Sequence, residues 1–152
     1  MEFVAGAKDV TQAHGSFFRG AVCSDCRMEY SPNIVTAAVI DGAIPCCEKC
    51  GGVIKPSVVF FGEDTWLDFD KAQRKVAKSD VMLVMGTSLN VSPVNMIPQL
   101  QNDYCKKILV NTTDISGPYH FDYKCLQSAD WFCKQVIQKM GLRQEFSDFV
   151  KH

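Results

Sequence analysis

Apolar and polar positions along the chain follow two rhythms, and the change falls near residue 57. Residues 1–22 show little helical or strand period and read as a lead-in. From Cys23 to Cys50 the apolar positions (Met28, Tyr30, Ile34, Val35, Val39, Ile40) are too few to close a core alone, and Asp41-Gly42 and Pro45 supply turns. Beyond them Val58-Val59-Phe60-Phe61, closed by Gly62, predicts a short buried strand. Residues 65–79 set Trp66, Phe69, Ala72, Val76 and Ala77 at helical spacing, with Lys71, Arg74, Lys75 and Lys78 outward. Asp64 near its start and the basic last turn complete the signature of an amphipathic helix.

Val81-Met82-Leu83-Val84-Met85 is a continuous apolar run, as expected of a strand buried on both faces, and Gly86-Thr87-Ser88 ends it. Val94, Ile97 and Leu100 suggest a second helical stretch, which Pro93 begins and Pro98 weakens. Ile108-Leu109-Val110 predicts another buried strand, followed by a polar loop from Asn111 to about Lys124. A last helix is expected from near Asp130 to Met140, with Cys133, Val136, Ile137 and Met140 inward and Gly141 as its stop. Strands alternating with helices predict an α/β fold with a parallel sheet. The expected organisation is a lead-in over 1–22, a metal module over 23–56 and an α/β domain over 57–152.

At 152 residues, 47% apolar and 22% charged, the chain matches ordinary globular usage, which argues against disorder and fibre. Sixteen basic against seventeen acidic side chains leave no basic field for nucleic acid and no polybasic run for a membrane surface. No apolar stretch approaches the roughly 18 residues that span a bilayer. MEFVAGAKDVTQAHG lacks a basic segment followed by an apolar run, so the expectation is a soluble, intracellular protein without a signal peptide.

Cysteine changes the picture. Cys23-Ser24-Asp25-Cys26 and Cys47-Glu48-Lys49-Cys50 form a C-x2-C-x20-C-x2-C pattern, the spacing of a four-thiolate zinc site. Gly51-Gly52 after the second pair suits a knuckle that needs positive φ. Cys46 could replace Cys47 as C-x3-C, the less usual spacing, and two disulfides or four buried thiols are the competing readings. Four protein sulfurs leave no open position, so such a zinc is structural. Cys105, Cys125 and Cys133 have no partner spacing and read as core or surface thiols.

In parallel α/β sheets, ligands sit beyond the carboxyl ends of the strands. Phe61-Gly62-Glu63, Gly86-Thr87-Ser88 and Asn111-Thr112-Thr113 are polar, turn-rich segments that fall there. A glycine followed by two hydroxyls lets backbone approach a phosphate or ribose. Taken singly, each is also an ordinary strand-ending turn, and Asn111 an ordinary Asx-turn.

In order, His14-Gly15, the four cysteines, Val58-Val59-Phe60-Phe61-Gly62-Glu63, Gly86-Thr87-Ser88-Leu89 and Asn111 resemble the sirtuins, the NAD-dependent protein lysine deacylases. The likeness runs over roughly residues 5–141. It implies a partial Rossmann-like parallel sheet with a small four-cysteine zinc-binding module, and a cleft where peptide and NAD+ meet. It also implies that His14, otherwise readable as a loop histidine capping backbone, is the general base. In the family the acyl-lysine oxygen attacks C1′ of the nicotinamide ribose and nicotinamide leaves. The histidine then removes a ribose hydroxyl proton, and free lysine and an acylated ADP-ribose result. Imidazole as a class titrates near working pH, which suits that task.

By the same resemblance Val59, Phe61, Gly62 and Glu63 lay out the edge that the acyl-lysine peptide joins as an added strand. Gly86, Thr87 and Ser88 form the NAD-contacting turn, and Asn111, Thr112 and Thr113 the loop near the adenosine ribose. Ala129, within Ser128-Ala129-Asp130, lies under the adenine. One structural Zn2+ and NAD+ as co-substrate are implied, with acylated proteins such as histones as substrates in the nucleus or cytoplasm. No direct contact with nucleic acid or membrane is implied. The family's glycine-rich turn and Gln-Asn-x-Asp segment occur nowhere in the 152 residues. The expectation is therefore an N-terminally truncated member with an open sheet edge. Against the deacylase stands the alternative of a non-catalytic, zinc-containing peptide-binding module.

Overall fold

The computed structural model describes residues 5–65, 67–100 and 102–144. The expected helical place of Trp66 lies outside the described residues. The chain divides into two compact units, Met1–Asp68 and Phe69–His152.

Unit one contains β1 (Ala21–Cys23), β2 (Glu29–Tyr30), α1 (Pro32–Ile40) and β3 (Ile54–Pro56). Its antiparallel sheet has the order β2-β1-β3, with Ala21 opposite both Tyr30 and Pro56 and Cys23 opposite Ile54. The core is small and partly made of sulfur: Ala21, Cys23, Val35, Cys47 and Ile54 are buried, and Cys26, Tyr30 and Ile34 pack against them. So few buried side chains explain why a metal has to supply the remaining cohesion.

Helix α1 was not legible in the apolar pattern, because it buries only Val35 and Ala38 and leaves Val39 and Ile40 exposed. Its start is chemical instead: the Ser31 side chain accepts a hydrogen bond from the Asn33 amide, and Pro32 occupies the first turn. Residues 57–65 fold with this unit. The expected buried strand over Val58–Phe61 does not form among the described residues. Val58 makes a single bridge to Gly15, Val59 is half-buried, Phe60 is exposed and Phe61 is fully so. The run is apolar, but among the described residues no strand continues the ladder past that bridge.

Unit two contains α2 (Phe69–Val76), β4 (Val81–Met85), a 3-10 helical segment (Val94–Gln99), β5 (Lys106–Val110), β6 (Tyr123–Cys125) and α3 (Ala129–Lys139). The sheet is parallel in the order β4-β5-β6, with Leu83 opposite Ile108 and Ile108 opposite Tyr123. Val84, Leu89, Leu109 and Phe121 form its core, with Met82, Ile115 and Tyr119 against them.

Several expectations are corrected here. Strand β4 is not buried on both faces: Val84 is, while Val81, Leu83 and Met85 on the alternate face are exposed. Among the described residues β4 is the sheet's edge with β5 its only partner, and the alternation arises because Met82 and Val84 face the core while the opposite face is open. The loop expected from Asn111 to Lys124 contains β6, too short and polar to announce itself. Helix α2 starts at Phe69, with Asp70 rather than Asp64 in its first turn, and Ala77 lies beyond it, exposed. The second helical stretch is a short 3-10 turn of the chain, and Pro98 inside it removes a backbone donor, which keeps it from extending as a regular helix. Helix α3 keeps Val136 and Ile137 half-buried but leaves Cys133 and Met140 exposed, and Gly141 stops it at φ +75°.

Candidate functional site

The four cysteines sit on two knuckles built alike. In the first, the Arg27 amide donates to the Cys23 carbonyl and the Cys23 amide to Met28. In the second, the Gly51 amide donates to the Cys47 carbonyl and the Cys47 amide to Gly52. The residue after each second cysteine lies in the left-handed region, Arg27 at φ +61° and Gly51 at φ +77°. At Gly52 the constraint is space rather than φ, because a Cβ there would lie 2.7 Å from Asp25 Cγ and make that exposed side chain move aside.

Two such turns aim four sulfurs at one point. All four lie within 4.8 Å of one another, with Cys23 Sγ 3.5 Å from Cys50 Sγ and Cys26 Sγ 3.6 Å from Cys47 Sγ. A tetrahedron with bonds of about 2.3 Å has edges of about 3.8 Å, so the spacing of the set suits a tetrahedral zinc. Cys46 is exposed, its thiol directed to the Ile44 carbonyl at 3.7 Å, and it is Cys47 that joins the four-sulfur cluster. The Tyr30 hydroxyl donates to Cys47 Sγ at 3.0 Å. That bond above all draws the Cys47 thiol down to about 6, and the same contact pushes Tyr30 up to about 12. For Cys50 the Gly52 amide pulls downward, but the neighbouring thiols and burial together push it up to about 12.

His14 stands in a turn closed by the Gly15 amide on the Gln12 carbonyl, and its side chain is exposed. Its carbonyl accepts from the Val59 amide at 2.9 Å, and the Ser16 amide donates to Ser57 at 3.0 Å. Gly15, at φ +73°, has Ser57 carbonyl oxygen where a Cβ would stand. The dipeptide is therefore tied to residues 57–59 by backbone, and only glycine fits its second position. Beyond it the Lys55 ammonium binds both oxygens of Glu63 at 2.5 Å, donates to the Val58 carbonyl at 3.3 Å and lies 4.6 Å from the Phe60 ring centre. Glu63 also accepts from the Phe60 amide at 3.0 Å. Lys55 first, and that amide second, hold its carboxyl below the usual range. A cleft of about 410 Å3 opens here, lined by Lys55, Val58, Val59, Gly62, Glu63, Asp64 and Arg27 among others.

In unit two the carboxyl ends of the strands lie side by side. The Gly86 amide donates to Val110 at 3.1 Å, and the Asn111 amide to Cys125 at 3.1 Å. Gly86 turns the chain at φ +64°, and Thr87 Oγ1 accepts from the Leu89 amide at 3.1 Å. The Asn111 carboxamide reaches across to the Thr87 carbonyl at 3.0 Å. Ser88, Thr112 and Thr113 are exposed beside these turns, and Ala129 begins α3 behind the Ser128 cap. Gly86, Thr87 and Asn111 are thus joined in one hydrogen-bonded edge.

A model described as the Sir2 family matches residues 1–93. The chain belongs to the Sir2 family. Sir2 relatives include the NAD-dependent deacetylase sir2D of Dictyostelium discoideum, 32% identical over 92% of this chain and 27% of its own length. The NAD-dependent protein deacetylase of Bacillus anthracis is 38% identical over 79% of this chain and 48% of its own. A Sir2 enzyme solved for its mechanism and regulation superposes with a TM-score of 0.80 at 30% identity, covering 91% of this chain and 57% of the other. A Sir2 structure with a p53 peptide and NAD+ gives 0.79 at 26% identity, over 90% and 57%. The chain therefore spans about a quarter to a half of these curated relatives and somewhat over half of the solved chains.

Within this Sir2 chain, sequence reasoning named Glu63 but missed its partner Lys55, and it missed Tyr30 and Asn102. Tyr30 carries a detectable signal, an aromatic four residues after a zinc-ligand cysteine. Lys55 and Glu63 are eight apart with Gly62 between them, a spacing that means nothing until the chain turns back. Asn102, whose amide caps the end of α2 at the Val76 and Ser79 carbonyls, both at 2.8 Å, has no sequence signal.

Proposed function

We propose that this chain acts as an NAD-dependent protein lysine deacylase of the Sir2 type. It removes acyl groups from lysine and releases nicotinamide and O-acyl-ADP-ribose. One observation carries the reading: the His14 loop is hydrogen-bonded to the segment that would present the peptide edge, within one compact unit. The names of the curated relatives and the peptide-bound Sir2 structures support it.

On this reading the exposed His14 imidazole takes the ribose hydroxyl proton. Val59, Phe61 and Gly62 offer backbone to the acyl-lysine peptide, while the Glu63 carboxylate, already engaged by Lys55, holds that edge in shape. Gly86, Thr87, Ser88, Asn111, Thr112, Thr113 and Ala129 hold NAD+, which when bound supplies the sugar carbon that receives the acyl oxygen and the nicotinamide leaving group. Zinc takes no chemical part. Substrates are acyl-lysine proteins, histones among them, in nucleus or cytoplasm; among the described residues no helix is long and apolar enough to cross a membrane. The test is nicotinamide release from an acetyl-lysine peptide, with activity lost in His14→Ala. Absence of turnover at high protein concentration refutes the assignment.

A second reading is favoured by one fact: the zinc site, His14 and the peptide edge all belong to unit one. A zinc-containing module that binds lysine peptides without consuming NAD+ needs nothing more. Peptide retention insensitive to both NAD+ and His14→Ala supports it, and failure to retain acylated or unmodified lysine peptides ends it.

A further inference from the structure

Tyr30 ends β2, immediately before the Ser31 cap of α1, so strand and helix together fix its ring. The ring packs against the core of unit one, and its hydroxyl reaches the second knuckle. There the hydroxyl donates to Cys47 Sγ at 3.0 Å and accepts from the Glu48 amide at 3.3 Å. Met28 Sδ, at 3.6 Å, is the only other described acceptor near the hydroxyl proton, and a neutral thioether is the weaker one. Cys47 is also the buried ligand of its pair, while Cys50 is exposed. Cys50 is open to solvent donors and Cys47 is not, so a protein donor takes that place.

A thiolate bound to zinc carries charge that the metal only partly neutralises, and four around one ion repel one another. A donor aimed at one sulfur lowers that charge, strengthens the set and fixes the ligand's orientation. The reading of Tyr30 as ring packing alone accounts for its burial but leaves the hydroxyl's two contacts without purpose.

We propose that Tyr30 is a positioning residue of the zinc centre, its phenol holding the Cys47 thiolate and slowing loss of the metal. The role is independent of deacylation. It also sets apart two neighbours of Cys47: Cys46 is adjacent in sequence and outside the cluster, whereas Tyr30 is seventeen residues away and touches its sulfur.

The test compares wild type with Tyr30→Phe, each loaded with zinc for release kinetics and with Co2+ for spectroscopy. Tyr30→Phe is expected to bind zinc about tenfold to a hundredfold more weakly and to surrender it correspondingly faster to a chelator. Its sulfur-to-cobalt charge-transfer band is expected to move to lower energy, a change that loss of packing alone does not produce. Because the Phe variant could fold poorly, a second measurement uses the unaltered sequence grown with 3-fluorotyrosine, whose more acidic hydroxyl donates more strongly. Among the described residues no other tyrosine hydroxyl touches a ligand sulfur. The band should then move to higher energy. A fluorotyrosine band in its original place overturns the proposal whatever the Phe variant does, and so do equal chelator rates in a folded Phe variant.

Discussion

Replacing Gly15 by alanine isolates the contact on which the His14 loop depends. Two costs arise. A side chain at φ +73° carries left-handed strain of about 1–2 kcal/mol. The new Cβ also displaces the Ser57 carbonyl, endangering the Ser16–Ser57 and His14–Val59 hydrogen bonds at 3.0 and 2.9 Å. Each such bond contributes about 1 kcal/mol net. Against this, alanine stiffens the unfolded chain by roughly 0.4–1 kcal/mol. The sum is a loss of about 3 kcal/mol. Gly42 supplies the control, since its φ is +64° but nothing lies within 4 Å of its added Cβ. Only strain and the unfolded-state offset remain there, about 1 kcal/mol. The gap of about 2 kcal/mol should separate the urea midpoints of the zinc-loaded variants by on the order of 1 M, read by circular dichroism. Gly15→Ala should also lose nicotinamide release disproportionately to its stability, whereas Gly42→Ala should not. Coincident midpoints would refute the claim that Ser57 fixes the loop.

Metal analysis should find about one zinc per chain in wild type and in Cys46→Ser, and little in Cys47→Ser; equal loss in both serine variants overturns the choice of ligand. Leu109→Ala, at a position with no exposure, should cost about 2–5 kcal/mol, while Leu83→Ala on the open face should cost far less; the ranking is checked by denaturant titration. Glu63, depressed chiefly by Lys55, contributes stability that is present above the ordinary carboxylate value and lost as pH falls through its lower folded value. Followed by carbon-13 carboxyl shifts, its midpoint should rise toward the ordinary range in Lys55→Met and stay low in Lys55→Arg. A midpoint unmoved in Lys55→Met removes Lys55 as the cause.

What was legible depended on how locally each feature is encoded. The four-cysteine cluster was, because two knuckles each need only four consecutive residues, and Gly51 at φ +77° follows the backbone logic. Strands β4 and β5 and the parallel sense of their sheet were, because Val81–Met85 and Ile108-Leu109-Val110 are apolar runs and the turns at Gly86 and Asn111 follow at once. Val58–Phe61 misled for the opposite reason: apolar character marks a segment for burial by something, and here it leaves Phe61 fully exposed. Helix α1 and strand β6 were missed because small units bury little per element, so capping and register decide where periodicity is silent. The Lys55–Glu63 clip required knowing that the chain reverses at Gly62.

The zinc site and the His14 loop, far apart in chemistry, are joined by one short strand. Strand β3 begins at Ile54, buried in the sulfur-rich core and opposite the ligand Cys23. Its next residue is Lys55, whose ammonium clips Glu63 and the Val58 carbonyl. Ser57, directly after β3, meets Gly15 and receives the Ser16 amide. Removing zinc deprives this small core of its main cohesion, so β3 loses its anchor and both attachments of the loop loosen with it. Amide exchange at Ser16 and Val59 should therefore accelerate when a chelator strips the metal, at protein concentrations where β4 and β5 of unit two remain protected. Lys55→Met should accelerate exchange at Phe60, whose amide the clipped Glu63 accepts, while leaving zinc bound. Protection at Ser16 and Val59 that survives full zinc removal would break the chain of reasoning at β3, and the metal would then stabilise its own knuckles and nothing beyond them.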